Sequence, residues 1–382
     1  MTRPNRPYQI CVRCVMDTSD PEIQFDEAGV CSWCRRFDAE IAPQWFPNAE
    51  GERRFAAIVE GIRRETTSKE YDCIVGLSGG IDSTYAAYVM RKRWNLRLLA
   101  VHVDAGWNSE LAVKNIENTV KRLDIDLHTE VIDWEEVRDL QLAFLKSGVP
   151  NQDIPQDHVF FAALYRFAVK KGVRHVLSGG NIATESVLPP AWGYTAMDLR
   201  HIKAIHRRFG QGRLRTYPTC SFFDYYVRYP FLHHMRVVRP LNFLPYEKER
   251  ALEVLEHELK YRYYGTKHGE SRFTKFFQNY WLPTRFGFDK RRAHLASTVL
   301  SGQANRSEAL NELSRPVCDA NAIRQDRAFV AKKLGITDRE LEDLLRMPLR
   351  EHANYPSNLA LYRLKDRARP FLERFGLGVA RK

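Results

Sequence analysis

With 382 residues, 44% of them apolar and 28% charged, the chain has the composition of a soluble, core-forming protein, long enough for two domains or one large domain with appendages. No apolar run reaches the ~18 residues of a membrane-spanning helix, and the opening MTRPNRPYQI has no hydrophobic signal core, so a cytoplasmic protein is expected. A formal charge of +12 points to an anionic partner and does not choose among nucleic acid, membrane surface and phosphorylated small molecule.

Four of the seven cysteines come first. Cys11, Cys14, Cys31 and Cys34 form two CxxC knuckles with 16 residues between them, the spacing of a tetrahedral four-cysteine zinc site. All four positions are then filled by protein, so the ion is expected to be structural Zn2+ and to supply much of the folding energy of so short a segment. The stretch between the knuckles reads as a short ribbon hairpin with turns at Asp20-Pro21 and Ala28-Gly29; two redox-active pairs are the alternative. Cys73, Cys220 and Cys318 stand singly, which argues against a disulfide framework.

A connecting helix is expected between Trp45 and Lys69. The organising stretch follows, Tyr71 to Thr84, YDCIVGLSGGIDST. It reads as a strand, a tight loop, and a helix that Asp82 and Ser83 can cap. Glycines in such a loop let backbone N–H groups turn inward while the helix aims its positive end at the same point, which favours phosphate. The Walker pattern GxxxxGK[ST] is missing, so cleavage of a γ-phosphate is poorly supported. The candidate nucleotide-binding residues are Leu77, Ser78, Gly79, Gly80, Asp82, Ser83 and Thr84; a glycine-rich turn without a ligand is the alternative.

Further strands are predicted at Leu98 to Asp104, His128 to Ile132 and Arg174 to Leu177. Helices are predicted from Ser109, over Trp134 to Lys146 and over Asp157 to Lys171. This alternation predicts a parallel sheet with right-handed crossovers, covered on both faces. Ligands of such sheets gather beyond the carboxyl ends of the strands, which adds Val103, Asp104, Gly179, Gly180 and Asn181 to the site. Asp104 suits ribose hydroxyls or a metal-bound water, or is an ordinary turn carboxylate. Asp82 is the better candidate for Mg2+, a cation that takes oxygen ligands beside bound phosphates.

Residues 190 to 245 lose periodicity and turn basic and aromatic, either as a pocket wall for an anion or as a solvated face. Met235 to Leu241 is a possible late strand, and Tyr246 to Tyr261 an amphipathic helix. The following block interleaves Lys267, His268, Glu270, Arg272, Lys275, Lys290 and Arg291 with seven aromatic residues, a pattern of either nucleic-acid stacking or a polar pocket. Short helices are expected at Glu308 to Leu313, Asn321 to Leu334 and Asp338 to Arg346, the last capped by Thr337.

SGGIDST resembles the PP-loop of the N-type ATP pyrophosphatases, which implies cleavage between the α and β phosphates. The chain as a whole resembles the N-acetyl sugar amidotransferases of lipopolysaccharide and surface-sugar pathways. That resemblance rests on CVRCVMDTSDPEIQFDEAGVCSWC, GLSGGIDST, HVDAGWNSELAVKNI, LSGGNIATES, RPLNFLPYEKERA and, most narrowly, TKHGESRFTKFFQNYWLPTRFGFDKRRAHL with SGQANRSEAL. It implies a doubly wound parallel α/β sheet of PP-loop (adenine nucleotide alpha hydrolase-like) type. An N-terminal zinc ribbon (1–45), an ATP-binding domain (46–245) and a mainly helical C-terminal region (246–382) are expected. The implied reaction converts the acetamido group of an anionic, nucleotide-linked diacetamido sugar to an acetamidino group through an adenylated intermediate that ammonia attacks. ATP and Mg2+ are the implied cofactors. Asp82, Lys275 and Lys290 are the catalytic candidates, and Thr184, Glu185, Lys267, His268, Glu270, Arg272 and Arg291 the substrate-binding ones. No glutaminase-type Cys/His/Glu arrangement is recognisable, so a separate ammonia-supplying glutaminase subunit is implied. A homodimer is allowed, and neither a membrane nor a nucleic acid is expected as partner.

Two rival readings remain. A PP-loop tRNA-modifying enzyme shares the zinc ribbon, the basic surface and the ATP chemistry, although thiolating members need paired catalytic cysteines. A non-enzymatic zinc-ribbon protein that binds nucleic acid leaves the ATP motifs without a role.

Overall fold

A computed structural model of the protein describes residues 6–266 and 268–374. Five parallel strands form one sheet: β1 (Cys73–Gly76), β2 (Leu98–Asp104), β3 (Asp126–Val131), β4 (His175–Leu177) and β5 (Arg236–Val238), in the order β3-β2-β1-β4-β5. The chain moves outward from β1 to β3, then returns to the other side of β1 for β4. That reversal puts the topological switch point between β1 and β4, where open α/β sheets bind ligands.

The α-helices, in chain order, are α1 (Ser32–Arg36), α2 (Ala49–Glu65), α3 (Ile81–Lys92), α4 (Glu110–Leu123), α5 (Trp134–Ser147), α6 (Ile154–Lys171), α7 (Ile182–Glu185) and α8 (Leu199–Phe209). They continue with α9 (Lys248–Leu259), α10 (Arg272–Phe276), α11 (Leu282–Phe286), α12 (Lys290–Leu300), α13 (Arg306–Ser314), α14 (Ala320–Leu334), α15 (Asp338–Arg346) and α16 (Leu359–Arg374). Because side chains alternate along a strand, the central strands feed two cores. Cys73, Val75, Leu98 and Ala100 pack with α2, α3, α4 and α9, whereas Ile74, Leu99, Val101 and Val103 pack with α5, α6 and the C-terminal helices. The four knuckle cysteines belong to the second core.

Several expectations are corrected. The cysteine segment is not one hairpin: isolated bridges join Ile10 to Asp17 and Phe25 to Cys31, because each knuckle folds back on itself. β3 runs over Asp126–Val131, beginning two residues before the expected strand, and forms one edge of the sheet beside β2. α3 begins at Ile81 behind Gly80, with no side chain capping it, so Asp82 lies inside the first turn. α6 begins at Ile154, which makes Asp153 its N-cap. In the stretch that lost periodicity, α8 forms on the buried His201, Ile202 and Ile205; its many basic residues mask that stripe. Thr337 does cap α15, as a capping box with Glu340.

Candidate active site

Two SGG sequences meet at the switch point. Ser78-Gly79-Gly80 follows β1, and Ser178-Gly179-Gly180 follows β4. In both, the N–H of the last glycine donates to the serine Oγ at 3.2 Å. The loops touch so closely that a β-carbon on Gly179 would stand 2.6 Å from Ser83 N. Gly79 sits at φ +85°, where a β-carbon would also meet Ala112 O at 2.9 Å. Ser78 and Ser83 Oγ lie 3.2 Å apart, and Ser83 Oγ donates to Gly80 O. The first N–H groups of a helix have no intrahelical partner. α4 and α5 cap theirs with Ser109 and Asp133, but α3 does not. Its uncapped first turn, with the positive helix end behind it, suits an anion.

The C-terminal third closes over this turn. The hydroxyls of Tyr261 and Tyr264 both donate to Gly79 O, at 2.9 and 2.8 Å. The buried Tyr246 donates to Asp82 Oδ1. Burial and the Asp82 charge push the Tyr246 hydroxyl far above its ordinary pKa, so it stays a donor. Glu270 Oε1 would lie 3.3 Å from a β-carbon on Gly80, and Glu270 O accepts from Ser109 N. His268 lies 3.5 Å from Glu270, with its ring 5.6 Å from that of His294. On the β4 side, a β-carbon on Gly180 would stand 3.7 Å from Glu185 and 3.8 Å from Arg239.

The other expected residues separate into groups. Leu77 and Thr84 are buried in the walls of the loop. Asn181 caps α7, accepting from Thr184 N at 2.9 Å and from Thr184 Oγ1. Val103 is buried in β2, and the Asp104 carboxylate accepts from Gly106 N and Asn108 Nδ2, the turn role among its alternatives. Lys275 and Arg272 both end on Asp326 of α14, at 2.9 and 3.1 Å. Arg291 is held by Asp289 and by the carbonyls of Glu312 and Arg315. Lys290 instead faces Asp153 and Asp157 at the start of α6, where burial raises both carboxyl pKa values and the Lys290 charge offsets part of the rise. Lys267 lies outside the described residues.

The sequence reading missed the three tyrosines around α9 and the acids Asp153 and Asp157. For the acids a signal existed: QDIPQD sets two aspartates one helical turn apart. The tyrosines look like ordinary ends of an amphipathic helix until the tertiary fold lays them on the loop.

The cysteine cluster forms a separate centre. The four buried Sγ atoms lie within 4.8 Å of one another, with contacts of 3.6 to 3.7 Å. A tetrahedron with Zn–S of about 2.3 Å has edges of about 3.8 Å, so the sulfurs fit that ion. Backbone N–H groups of Cys14, Met16 and Cys31 point at the sulfurs, which favours thiolates. Arg306 donates to the carbonyls of Cys11 and Cys14, while Arg292 reaches Val15 O and Asp17. The C-terminal region thereby clamps the metal segment.

Residues 54–215, which hold both SGG loops, match the family described as NAD synthase, and residues 270–369 match the LPS biosynthesis protein WbpG-like C-terminal domain. The chain joins a NAD synthase-type PP-loop domain to a WbpG-like C-terminal domain. It is therefore an ATP-using PP-loop enzyme, and the WbpG-like block sets Glu270 against Gly80 of the first SGG loop. No curated protein matches the chain. Among solved structures, it is similar to the NH3-dependent NAD synthetase of Campylobacter jejuni (14% identity over 78% of this chain and 97% of that one, TM-score 0.31). It is also similar to the NMN synthetase of Francisella tularensis (15%, 78% and 98%, 0.31) and to the U34-tRNA thiolase NcsA of Methanococcus maripaludis (13%, 78% and 82%, 0.33). Scores this low add nothing to the two family matches. Among the described residues no helix is long and apolar enough to cross a membrane.

Proposed function

We propose that the protein is an ATP-dependent sugar amidotransferase of surface-polysaccharide synthesis, acting in the cytoplasm and releasing AMP and pyrophosphate. The observation that carries this reading is the place of Glu270, the first residue of the WbpG-like match, against Gly80 of the phosphate loop. The WbpG-like block thus touches the ATP loop.

An amide carbonyl is a poor electrophile. Transfer of AMP to its oxygen makes an imidate whose carbon ammonia can attack. The uncapped amides of α3 hold the pyrophosphate as it departs, a fixed stabilisation that needs no reorganisation. Asp82, oriented by Tyr246, offers the carboxylate that Mg2+ would use to offset charge between the phosphates. Arg239 and the basic stretch around it suit an anionic, nucleotide-linked diacetamido sugar. Ammonia would come from a separate glutaminase subunit.

The test is mass spectrometry of diacetamido nucleotide sugars incubated with enzyme, ATP, Mg2+ and ammonium, with labelled ATP followed in parallel. The expected product has O exchanged for NH, together with AMP and pyrophosphate. ADP and orthophosphate, or stimulation of pyrophosphate release by tRNA in place of sugar, would overturn the reading.

A further inference from the structure

Asp153 and Asp157 stand one turn apart at the start of α6. Because α6 leads back into the parallel strand β4, that start lies at the carboxyl edge of the sheet, on the same side as the SGG loops. Asp153 is buried, and its carboxylate accepts from Thr274 Oγ1 at 3.1 Å and from Gln278 at 3.5 Å. Thr274 in turn accepts from Gln156, which accepts from Ser271. This network ties the pair to α10 of the WbpG-like domain. Asp157 remains partly open, and no hydrogen-bond donor within the described residues reaches its carboxylate.

Among the described residues, the charges around the pair do not balance. Facing it are Lys290 from α12, His268, which sits 3.5 Å from Glu270, and the phenol of Tyr217. Two carboxylates against one fixed ammonium group leave a negative charge in a poorly hydrated place, which is costly unless a cation or a proton joins it. Burial and the neighbouring Asp153 accordingly push Asp157 up to about 7. The pair titrates as a unit at a pH where it can exchange a proton with a bound cation.

We infer that Asp157, backed by Asp153, receives the ammonium ion and removes its proton, an inference that rests on the amidotransfer reading above. The Asp157 carboxylate takes one proton, and the electrons of that N–H bond stay on nitrogen as the lone pair of ammonia. That lone pair forms the C–N bond to the imidate carbon. The C–O bond to AMP breaks, its electrons leave with AMP, and the three remaining N–H protons end on the two nitrogens of the amidinium product.

Two measurements on the full-length protein test this. In the wild type, the rate at fixed total ammonium should level off above about pH 7, because ammonium is the species bound. A rate that keeps climbing about tenfold per pH unit towards the ammonium pKa would mean that free ammonia enters unaided, and would overturn the inference. In Asp157→Asn, sugar-dependent pyrophosphate release should stay within about twofold, while the ammonium-driven rate at pH 7 falls by about a hundredfold or more. Hydroxylamine, already a free base at pH 7, should restore turnover. An equal loss with both nucleophiles, or no loss with ammonium, would sink the role of Asp157. A wild type that makes AMP and amidine normally in those cases leaves the amidotransfer reading standing; a wild type that makes neither removes both.

Discussion

Gly179 and Ser83 touch across the switch point so tightly that no side chain fits between them: a β-carbon on Gly179 would lie 2.6 Å from Ser83 N and 2.7 Å from Asp82 C. Both atoms are backbone, so neither can swing aside. Gly179→Ala is therefore expected to push the two loops apart, at an overpacking cost of about 1–3 kcal/mol. Melting temperature and ATP affinity should fall together. Unchanged ATP binding would show that the second SGG loop takes no part in it.

Tyr246 donates its hydroxyl to Asp82, and a hydrogen bond to a charged group is worth about 1.5–3 kcal/mol. Tyr246→Phe keeps the ring in its packing and removes one hydrogen bond to Asp82. The expected outcome is a drop in turnover of about tenfold or more with a raised Mg2+ requirement, beyond a stability loss of about 1.5–3 kcal/mol. A titration of rate against Mg2+ checks it, and an unchanged curve would leave Tyr246 with a packing role only.

Arg306 holds Cys11 O and Cys14 O and so ties α13 to the metal knuckle. Zinc content should be one per chain. Chelation should unfold the N-terminal segment, because a segment this small has little core without its ion. Arg306→Ala should cost about 1–3 kcal/mol and accelerate zinc loss to a chelator, which a colorimetric assay follows directly. Equal release rates would show that the clamp is dispensable.

The buried rings of His201 and His352 meet at 3.0 Å. The backbone N–H of Asn151 donates to His352 Nε2, so His352 carries its proton on Nδ1 and donates it to His201 Nε2. Burial pushes His201 down to about 4 and His352 well below its ordinary value. The folded state thus holds both neutral, whereas the unfolded chain takes protons once the pH drops below about 6.5. Stability should be full above that pH and fall as it drops towards 4, by roughly 3 kcal/mol for His201. Urea melts at pH 7 and pH 5 test this; His201→Gln should flatten the difference.

Strand periodicity placed the five strands to within a few residues, and the two CxxC knuckles named their ligands, because both depend on neighbours close in sequence. The SGGIDST loop was legible for the same reason: its chemistry lies in its own backbone. What the chain alone did not disclose is everything that depends on which distant segments meet. Lys275 and Lys290 look alike in the sequence, yet one is held by Asp326 and the other faces Asp153 and Asp157. The tyrosines around α9 became part of the site only when folding laid their hydroxyls on Gly79 and Asp82. Charge pairing and burial act through space, and those partners lie far apart along the chain, Tyr246 and Asp82 by 164 residues.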